Sequence, residues 1–369
     1  MNPKKRMRVA VAMSGGVDSL KTAALLKAQG HDVFGVHMRV LPESGNGRWD
    51  ARKVYREKED AVQRLASRLG IELHVVDLRD AFDRLVIQPF LAAYRNGLTP
   101  NPCAVCNPAV KFGILLEKAL EGGADRLATG HYARILPPDD RFPVYRLLRG
   151  RDPAKDQSYF LFGLDRESLV KALFPLGELR KDDVRRWAAS EGYADLLSAE
   201  SQEICFIPSG HYVEFLEERM GDAAFSVPGP ILNTDGTVLG EHRGMFRYTV
   251  GQRRGLGLPS TEPYYVVAIE PERNAVRVGR ARDLERDRLI VEKVNWVSMD
   301  PPDRPIRACV RIRYRHGAAP AFVIPRDDGS AAVRFDRPQR AVTPGQAAVF
   351  YDADTVLGGG TIAREGTQG

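Results

Sequence analysis

The first third of the chain alternates short apolar runs with amphipathic stretches, a pattern typical of strands that are each followed by a helix. Four apolar runs predict strands, at 8–13, 32–38, 71–76 and 125–129. Four stretches with apolar residues at helical spacing predict helices, at 17–29, 51–69, 80–94 and 110–120. This order predicts a parallel sheet covered by helices, in which ligands bind at the carboxyl ends of the strands.

The rest of the chain predicts one more helical region and then a change to β structure. Helical spacing covers 165–191, and from Ser226 onward glycine and proline separate short runs rich in Val, Ile and Tyr. Six of these runs predict strands, at 264–269, 275–278, 289–294, 308–314, 331–335 and 347–351. We predict an α/β domain with a helical extension over 1–208, a central β domain over 209–272 and a C-terminal β-barrel over 273–369.

Composition narrows the class of protein. With 369 residues, 43% of them hydrophobic and 28% charged, the chain can bury a large core, which excludes disorder for most of its length. No apolar run approaches the roughly 18 residues that a membrane span needs, and the apolar run behind the basic N-terminus is too short for a signal peptide. We therefore expect a cytoplasmic protein without a membrane partner. The net charge of +6 permits a nucleic-acid partner without proving one.

A glycine-rich loop follows the first predicted strand and opens the first predicted helix. It reads Ser14-Gly15-Gly16-Val17-Asp18-Ser19. Its glycines let backbone amides approach phosphate oxygens, and the helix start adds its positive dipole end. Asp18 could hold Mg²⁺ against the phosphates, although the loop has neither the GxxxxGK[ST] nor the GxGxxG pattern. An ordinary glycine-rich turn is the alternative interpretation of these residues.

The complete six-residue loop resembles the PP-loop of ATP pyrophosphatases. The resemblance implies a Rossmann-like PP-loop domain that splits ATP between its α and β phosphates, so that a substrate oxygen is adenylated and pyrophosphate leaves. NAD, argininosuccinate and asparagine synthetases share this loop with tRNA-thiolating enzymes. The loop by itself does not choose among them.

The cysteines and their neighbours distinguish among these enzyme families. Thr99-Pro100-Asn101-Pro102-Cys103-Ala104-Val105-Cys106-Asn107 is a loop made rigid by proline, and Cys205 lies in the later stretch Ser201-Gln202-Glu203-Ile204-Cys205-Phe206-Ile207. With the stretches at 128–134 and 155–161 between them, these residues resemble the tRNA-specific 2-thiouridylase family in order and spacing. Four later stretches extend the resemblance over almost the whole chain, at 174–179, 248–257, 311–315 and 341–347.

The family resemblance implies ATP-dependent 2-thiolation of the wobble uridine of tRNA. Adenylation would turn O2 of the base into a leaving group, after which sulfur attacks C2. Cys205 would carry a persulfide from a sulfur donor, and Cys106 would attack or resolve it, so we expect lowered thiol pKa values. The ATP site would comprise Ala12, Met13, Ser14, Gly15, Gly16, Val17, Asp18, Ser19, Met38 and Gly130. The target base would meet Asn101, Pro102 and Cys103, and tRNA would contact His131, Lys155, Asp156, Gln157, Arg313, Tyr314 and Gln346.

One position departs from the family pattern. The usual family has Asp where this chain has Cys103, so no residue at this position takes the acid/base role of that Asp. The chain has three thiols, Cys103, Cys106 and Cys205, that would converge on one site. Three thiolates suit a [4Fe–4S] cluster with one open iron, and related tRNA thiolases resemble this arrangement. We therefore hypothesise that the three cysteines are cluster ligands. The alternatives are persulfide chemistry without a cluster, a redox disulfide, structural zinc, and a Cys103 without any role.

Several other residues have both a functional and an ordinary structural interpretation. Arg307, Arg311, Arg313 and Arg315 alternate along a predicted strand and could form a track for the tRNA backbone or a plain solvated face. Cys309 reads as a buried apolar residue. Neither His37 nor the stretch 41–50 fits the family pattern well. Two rival functions remain: an amide-forming PP-loop synthetase, which needs no cysteines, and a non-catalytic tRNA-binding sulfur carrier, which needs no phosphate loop.

Overall fold

The computed structural model describes residues 6–40, 51–140, 142–193, 204–207, 212–221 and 227–364. The basic N-terminal tail up to residue 5, the stretch 41–50, the residues 201–203 beside Cys205, the predicted boundary at 208/209 and the start of the predicted β half at Ser226 lie outside these ranges. No described helix is both long and apolar enough to cross a membrane.

The α/β part is built around a parallel five-stranded sheet. Its described elements are β1 (Arg8–Ala12), α1 (Val17–Ala28), β2 (Asp32–Arg39), α2 (Ala51–Leu69), β3 (Leu73–Asp77), α3 (Arg79–Phe82), α4 (Gln88–Arg95), α5 (Pro102–Cys106), α6 (Leu115–Glu121), β4 (Arg126–Ala128), β5 (Ala133–Leu136), β6 (Arg146–Arg149), α7 (Arg166–Lys171), β7 (Ala172–Leu173) and α8 (Lys181–Ser190). The sheet order is β3-β2-β1-β4-β7, with β1 central and fully buried at Val9, Ala10 and Val11. The predicted parallel sheet is confirmed.

Two predicted helices contain or adjoin π-helical segments. One lies at Asp83–Ile87, between α3 and α4, and the other at Asn107–Ile114, between α5 and α6. Gly113 has a non-helical backbone inside the second turn, where a Cβ would lie 2.9 Å from the carbonyl oxygen of Pro108. The helix predicted at 110–120 therefore starts earlier, at Pro102, and bends beside the cysteines. Such π turns recur at functional sites.

The helical prediction over 165–191 is wrong in its middle. After α7 the chain forms β7, which adds a fifth strand to the sheet beside β4, and then a turn before α8 begins at Lys181. Pro175 limits helix continuation, and a Cβ on Gly177 would lie 1.9 Å from the carbonyl oxygen of Ala133. This close backbone approach packs the turn against the start of β5.

The β half contains two sheets. Its described elements are α9 (Tyr212–Met220), β8 (Gly229–Leu232), β9 (Val238–His242), β10 (Tyr265–Glu270), β11 (Ala275–Gly279), β12 (Glu285–Asn295), β13 (Ile306–Arg311), β14 (Ala319–Pro325), β15 (Ala331–Arg340), β16 (Ala347–Asp352) and β17 (Thr355–Ile362). The central sheet has the order β10-β11-β8-β9. Strands β12-β15-β14-β13-β16-β17 close into a six-stranded barrel through pairing of β12 with β17, as predicted.

The sequence patterns do not predict four described strands of the β half, which are β8, β9, β14 and β17. Strand β17 shows why, because it contains three consecutive glycines at 358–360. A Cβ on Gly358 or Gly360 would lie within 2.4 Å of a backbone oxygen of β12. The barrel closes through close backbone contact there, so the strand lacks the apolar alternation that identifies strands in a sequence.

A hairpin of the α/β part joins the barrel. Strands β5 and β6 pair with each other, and β6 pairs with β17 at Leu147–Val356. Leu147 is fully buried, and its amide donates to the hydroxyl of Ser298 at 2.9 Å. Because one sheet runs through both parts, the barrel has a fixed position relative to the residues that follow β4.

Candidate active site

The phosphate loop has the geometry of an anion cradle. Gly15 has a left-handed backbone (φ +85°), which favours glycine, and Gly16 precedes α1 without a side-chain cap on that helix. The Ser19 hydroxyl donates to the Gly16 carbonyl at 2.9 Å and accepts from the Ser14 amide at 3.2 Å. The loop is thus held by its own hydroxyls, and the start of α1 is directed toward the carboxyl edge of the sheet.

Asp18 is already engaged by two donors. Lys181 at the start of α8 donates to both of its carboxylate oxygens at 2.8 and 2.7 Å, and the Tyr132 hydroxyl donates to one at 2.8 Å. The side chain of Lys181 is only 3% exposed. Lys181 was not anticipated from the sequence, where it lay in the middle of a helical pattern. It brings a positive charge to the phosphate loop.

Residues of β1 and β2 also help to position the phosphate loop. His37 of β2 is buried, and its Nδ1 donates to the carbonyl oxygen of Met13 at 2.7 Å, directly before the loop. Burial lowers the pKa of His37, which keeps the imidazole neutral. His37, which fitted the family pattern poorly, thus supports the strand end from which the loop starts. Met38 lies beside it, half-buried, and Ala12 is half-buried at the end of β1.

Gly130 follows β4 and lies in contact with the phosphate loop. A Cβ at this position would lie 2.9 Å from the carbonyl carbon and the Cβ of Asp18 and 3.1 Å from the Ser19 nitrogen. Only glycine leaves room for this approach. The predicted ATP-site residues Asp18, Ser19 and Gly130 are therefore brought together.

His131 and Lys111 connect this contact to the cysteines. The His131 ring is buried against Phe112 and Phe174, with Nδ1 2.7 Å from the Thr129 hydroxyl and Nε2 3.5 Å from Lys111 Nζ. Burial and the charge of Lys111 hold the pKa of His131 well below its usual range. The neutral ring can accept a hydrogen bond from Lys111. Its burial leaves little surface for the predicted tRNA contact, which stays a prediction.

Lys111 faces the thiols of the proline-rich loop. The Cys103 side chain is exposed, whereas that of Cys106 is buried. Desolvation by the surrounding protein raises the pKa of Cys103 and raises that of Cys106 to about 12, and the charge of Lys111 opposes both shifts. The expectation of a lowered thiol pKa is wrong for Cys106, because desolvation outweighs the nearby cation. Lys111 lay in an amphipathic pattern and gave no sequence signal of its own.

The third thiol lies near the first two. Cys205 raises the pKa values of Cys103 and Cys106 through its charge, so it lies near them, and the convergence of the three thiols on one site stays a prediction. Cys205 is exposed, whereas the next residue, Phe206, is buried among Phe82 and Phe90 at ring distances of 5.6 and 5.3 Å. Phe206 thus anchors the Cys205 segment to the core. Within the described ranges, no three His, Cys, Asp or Glu side chains are placed to share one metal ion.

The loop that carries the first two thiols is held by the barrel. The Gln346 side chain donates to the carbonyl oxygens of Thr99 at 2.8 Å and Pro100 at 3.3 Å. Asn101 caps α5 by accepting from the Ala104 amide at 3.3 Å, and Pro102 is buried in the first turn. Gln346, predicted as a tRNA contact, thus has a positioning role for this loop.

The remaining predicted tRNA residues fall into buried and accessible groups. Asp156 is buried and pairs with Arg311 at 3.2 Å, while its other oxygen accepts from the Gly150 and Ser158 amides. Gln157 accepts from the Tyr132 amide at 3.1 Å. Lys155 and Tyr314 are half-buried and Arg313 is exposed, so they remain the accessible members.

The predicted four-arginine face is only partly formed. Strand β13 ends at Arg311, and Arg313 and Arg315 follow in a turn rather than in the strand. Arg307 forms an ion pair with Asp336 at 2.6 Å, and Arg311 turns inward to Asp156. Both arginines of the strand therefore form ion pairs with carboxylates. Cys309 between them is half-buried rather than buried.

The aromatic residues considered for base stacking are mostly core. Tyr132, Tyr159 and Phe206 are at most 2% exposed, and Phe160 is half-buried against Tyr314 at a ring distance of 4.6 Å. Phe160 and Tyr314 are thus the pair with surface left for a base.

These features define a class of protein: a nucleotide-dependent α/β enzyme whose phosphate loop is joined through Gly130, His131 and Lys111 to a cluster of thiols. Models of known families match three consecutive parts of the chain. They are described as a tRNA methyl transferase HUP domain (7–209), a tRNA methyl transferase PRC-barrel domain (213–280) and an aminomethyltransferase β-barrel domain (286–362).

Relatives of similar sequence identify the family of this chain. A tRNA-specific 2-thiouridylase MnmA from Syntrophotalea carbinolica is 48% identical over 98% of this chain and 99% of its own length. One from Geobacter metallireducens is 47% identical over the full length of both chains. A solved U34-tRNA thiolase NcsA from Methanococcus maripaludis, described with its [4Fe–4S] cluster, is 20% identical, with a TM-score of 0.34 over 58% of this chain and 67% of that one. The chain belongs to the tRNA-specific 2-thiouridylase family.

The contact at Gly130 yields a first prediction. Gly130→Ala should push the start of α1 away from the strand end and raise the KM for ATP by about 10-fold or more, since small displacements of a binding loop are costly. Steady-state kinetics measure this directly. Gly122→Ala is the matched control, because its Cβ would meet only backbone oxygens at 3.4 Å. An unchanged KM in a folded Gly130→Ala protein would contradict the assignment of this contact to the ATP site.

Proposed function

We propose that this protein catalyses ATP-dependent 2-thiolation of the wobble uridine of tRNA. The observation that carries the proposal is the chain of contacts from the phosphate loop through Gly130, His131 and Lys111 to the thiols. It supports placing an activated base and a sulfur nucleophile in one site. The full-length similarity to 2-thiouridylases supports tRNA as the substrate.

The first step is adenylation of the base. The uridine O2 attacks the α-phosphorus of ATP, the bond to the β-phosphate oxygen breaks, and pyrophosphate leaves. Amides at the start of α1 and the ammonium of Lys181 are suited to the charge that develops on the phosphates.

A magnesium ion would enter with ATP and be held mainly by its phosphates, as Mg²⁺ usually is. Asp18 is the carboxylate nearest to them in the loop, and Lys181 and Tyr132 share its oxygens. In our proposal Asp18 therefore positions the loop and contributes at most one ligand to the ion.

The second step replaces oxygen by sulfur. A sulfur nucleophile attacks C2 of the adenylated base, the C2–O bond breaks, and AMP leaves. In the persulfide route, the outer sulfur on Cys205 attacks C2. Cys106 then attacks the inner sulfur of Cys205, the bond between the inner and outer sulfurs breaks, and the base leaves as 2-thiouridine. A Cys106–Cys205 disulfide remains for a thiol reductant to open. The exposure of Cys205 favours this route, because a donor protein must reach the thiol.

We propose further that Cys103, Cys106 and Cys205 can hold a [4Fe–4S] cluster. The donor set fits in its chemistry, because three thiols in one region are suited to iron and leave one iron open. Lys111 supports it electrostatically, because its charge favours the thiolates that a cluster requires. Within the described ranges the cysteines are not placed to share one metal ion, so binding a cluster would require the three thiols to come closer together. When bound, the cluster would supply a site for exogenous sulfide.

The proposed function predicts separable steps. Cys106→Ser and Cys205→Ser should retain pyrophosphate release that depends on tRNA but should form no 2-thiouridine, because the phosphate loop is intact and the sulfur chemistry is lost. Pyrophosphate assays and mass spectrometry of digested tRNA measure the two steps. Cys309→Ser, in the barrel, is the matched control and should resemble the wild type in both assays. Pyrophosphate release without tRNA, or 2-thiouridine from the Ser variants, would contradict the proposal.

The cluster is tested by iron content. After anaerobic purification, we expect about four irons and matching sulfide per chain in the wild type and in Cys309→Ser. Each of Cys103→Ser, Cys106→Ser and Cys205→Ser should lose them together with the visible absorbance. Iron-free protein that thiolates tRNA from a persulfide donor would eliminate the cluster and leave the persulfide route.

A further inference from the structure

A basic recess lies where the β5–β6 hairpin meets the barrel. It has a volume of about 560 Å³ and opens to solvent. Its charged lining is contributed by strands of both parts and by the turns after β6 and β13. The arginines and the histidine that line it are Arg134, Arg149, Arg151, Arg311 and His316.

Most of these cations have carboxylate partners. Arg134 donates to Asp354 at 2.7 Å, Arg151 pairs with Glu178, and Arg311 pairs with Asp156 at 3.2 Å. Four arginines and the two aspartates Asp156 and Asp354 line the recess, so its walls carry a net charge of +2 (4 − 2) with His316 neutral.

Arg149 is the exception. Its guanidinium lies 4.0 Å above the ring of Tyr351, and within the described ranges its side chain has no hydrogen bond or ion pair. Its Nε is buried and unsatisfied, as is Nδ1 of His316 on the same recess. The half-buried Arg149 guanidinium thus lines the recess without a protein acceptor among the described residues. A guanidinium stacked on an aromatic ring presents its donors to a phosphate in a fixed plane.

We propose that this recess binds one phosphate group of the tRNA backbone, with Arg149 as its main donor. The inference rests on the proposed function and adds a site to it. Lys155 and Arg313, two accessible residues in the predicted tRNA contact set, lie in the two turns whose neighbouring residues line the recess.

The recess is also linked to the phosphate loop. Gln157, just after the turn that lines the recess, forms hydrogen bonds with both the backbone amide and the carbonyl oxygen of Tyr132, whose hydroxyl reaches Asp18. A phosphate held by Arg149 would thus fix the tRNA relative to the adenylation site. This connection favours the substrate RNA over a free anion as the occupant.

The test is tRNA affinity as a function of salt. Arg149→Gln should weaken tRNA binding about 10-fold near 0.1 M salt and reduce the slope of log K against log salt by about one. Arg149→Lys should keep the wild-type slope but bind about threefold more weakly, because an ammonium cannot reproduce the planar fork. Arg166→Gln removes an arginine that pairs with Asp300 elsewhere on the surface, and it should bind like the wild type.

The outcomes separate this inference from the proposed function. Wild-type protein that does not bind tRNA would overturn both. If the wild type binds and Arg149→Gln binds equally well with the same slope, only the phosphate site is overturned. Titration with inorganic phosphate supplies the remaining arm. If phosphate binds the wild type but not Arg149→Gln, while tRNA affinity is the same in both, the recess belongs to a free anion and the inference fails. If Arg149→Gln does not fold, the tRNA affinity of Arg149→Lys decides. Binding about threefold weaker than that of the wild type supports the phosphate site, and wild-type affinity overturns it.

Discussion

The contact between the segment after β4 and the start of α1 is the constraint on which the site depends. Gly130 touches Asp18 and Ser19 with no room for a side chain, His131 turns toward Lys111, and the Tyr132 hydroxyl binds Asp18. These three successive residues thus contact the phosphate loop, Lys111 near the thiols and, through the Tyr132 backbone, the turn that contains Gln157. A shift of this segment would separate all three.

The barrel contributes to this arrangement from the other side. Gln346 holds the carbonyl oxygens of the loop before Cys103, and Arg311 holds Asp156 in the interior. Two residues predicted to touch RNA, Asp156 and Gln346, also join the domains. The β half therefore supports the loop that carries Cys103 and Cys106.

The sequence was sufficient for the features that a short pattern encodes. The phosphate loop and the order of the first strands follow from local spacing and from the family resemblance. Lys111 and Lys181 could not be found this way, because each lies in a helical pattern and gains its meaning only from a partner distant in the sequence. Strand β17 was missed because its glycines serve close backbone contact rather than apolar packing.

The thiols show where pattern and environment disagree. The spacing of Cys103 and Cys106 indicates reactive cysteines, yet desolvation raises both pKa values despite Lys111. An arriving base, a persulfide or iron would change that environment, so the reactive state is a property of the loaded site. Cys205, anchored through Phe206, is exposed, so external sulfur can reach this thiol.

The central claim is that the phosphate loop adenylates the oxygen that sulfur then replaces. It is tested most directly with tRNA carrying ¹⁸O at O2 of the wobble uridine, by mass spectrometry of the AMP and pyrophosphate formed in one turnover. The account predicts that AMP acquires the label as 2-thiouridine appears, because the C2–O bond breaks while the new bond to phosphorus stays. Unlabelled AMP beside 2-thiouridine would contradict it.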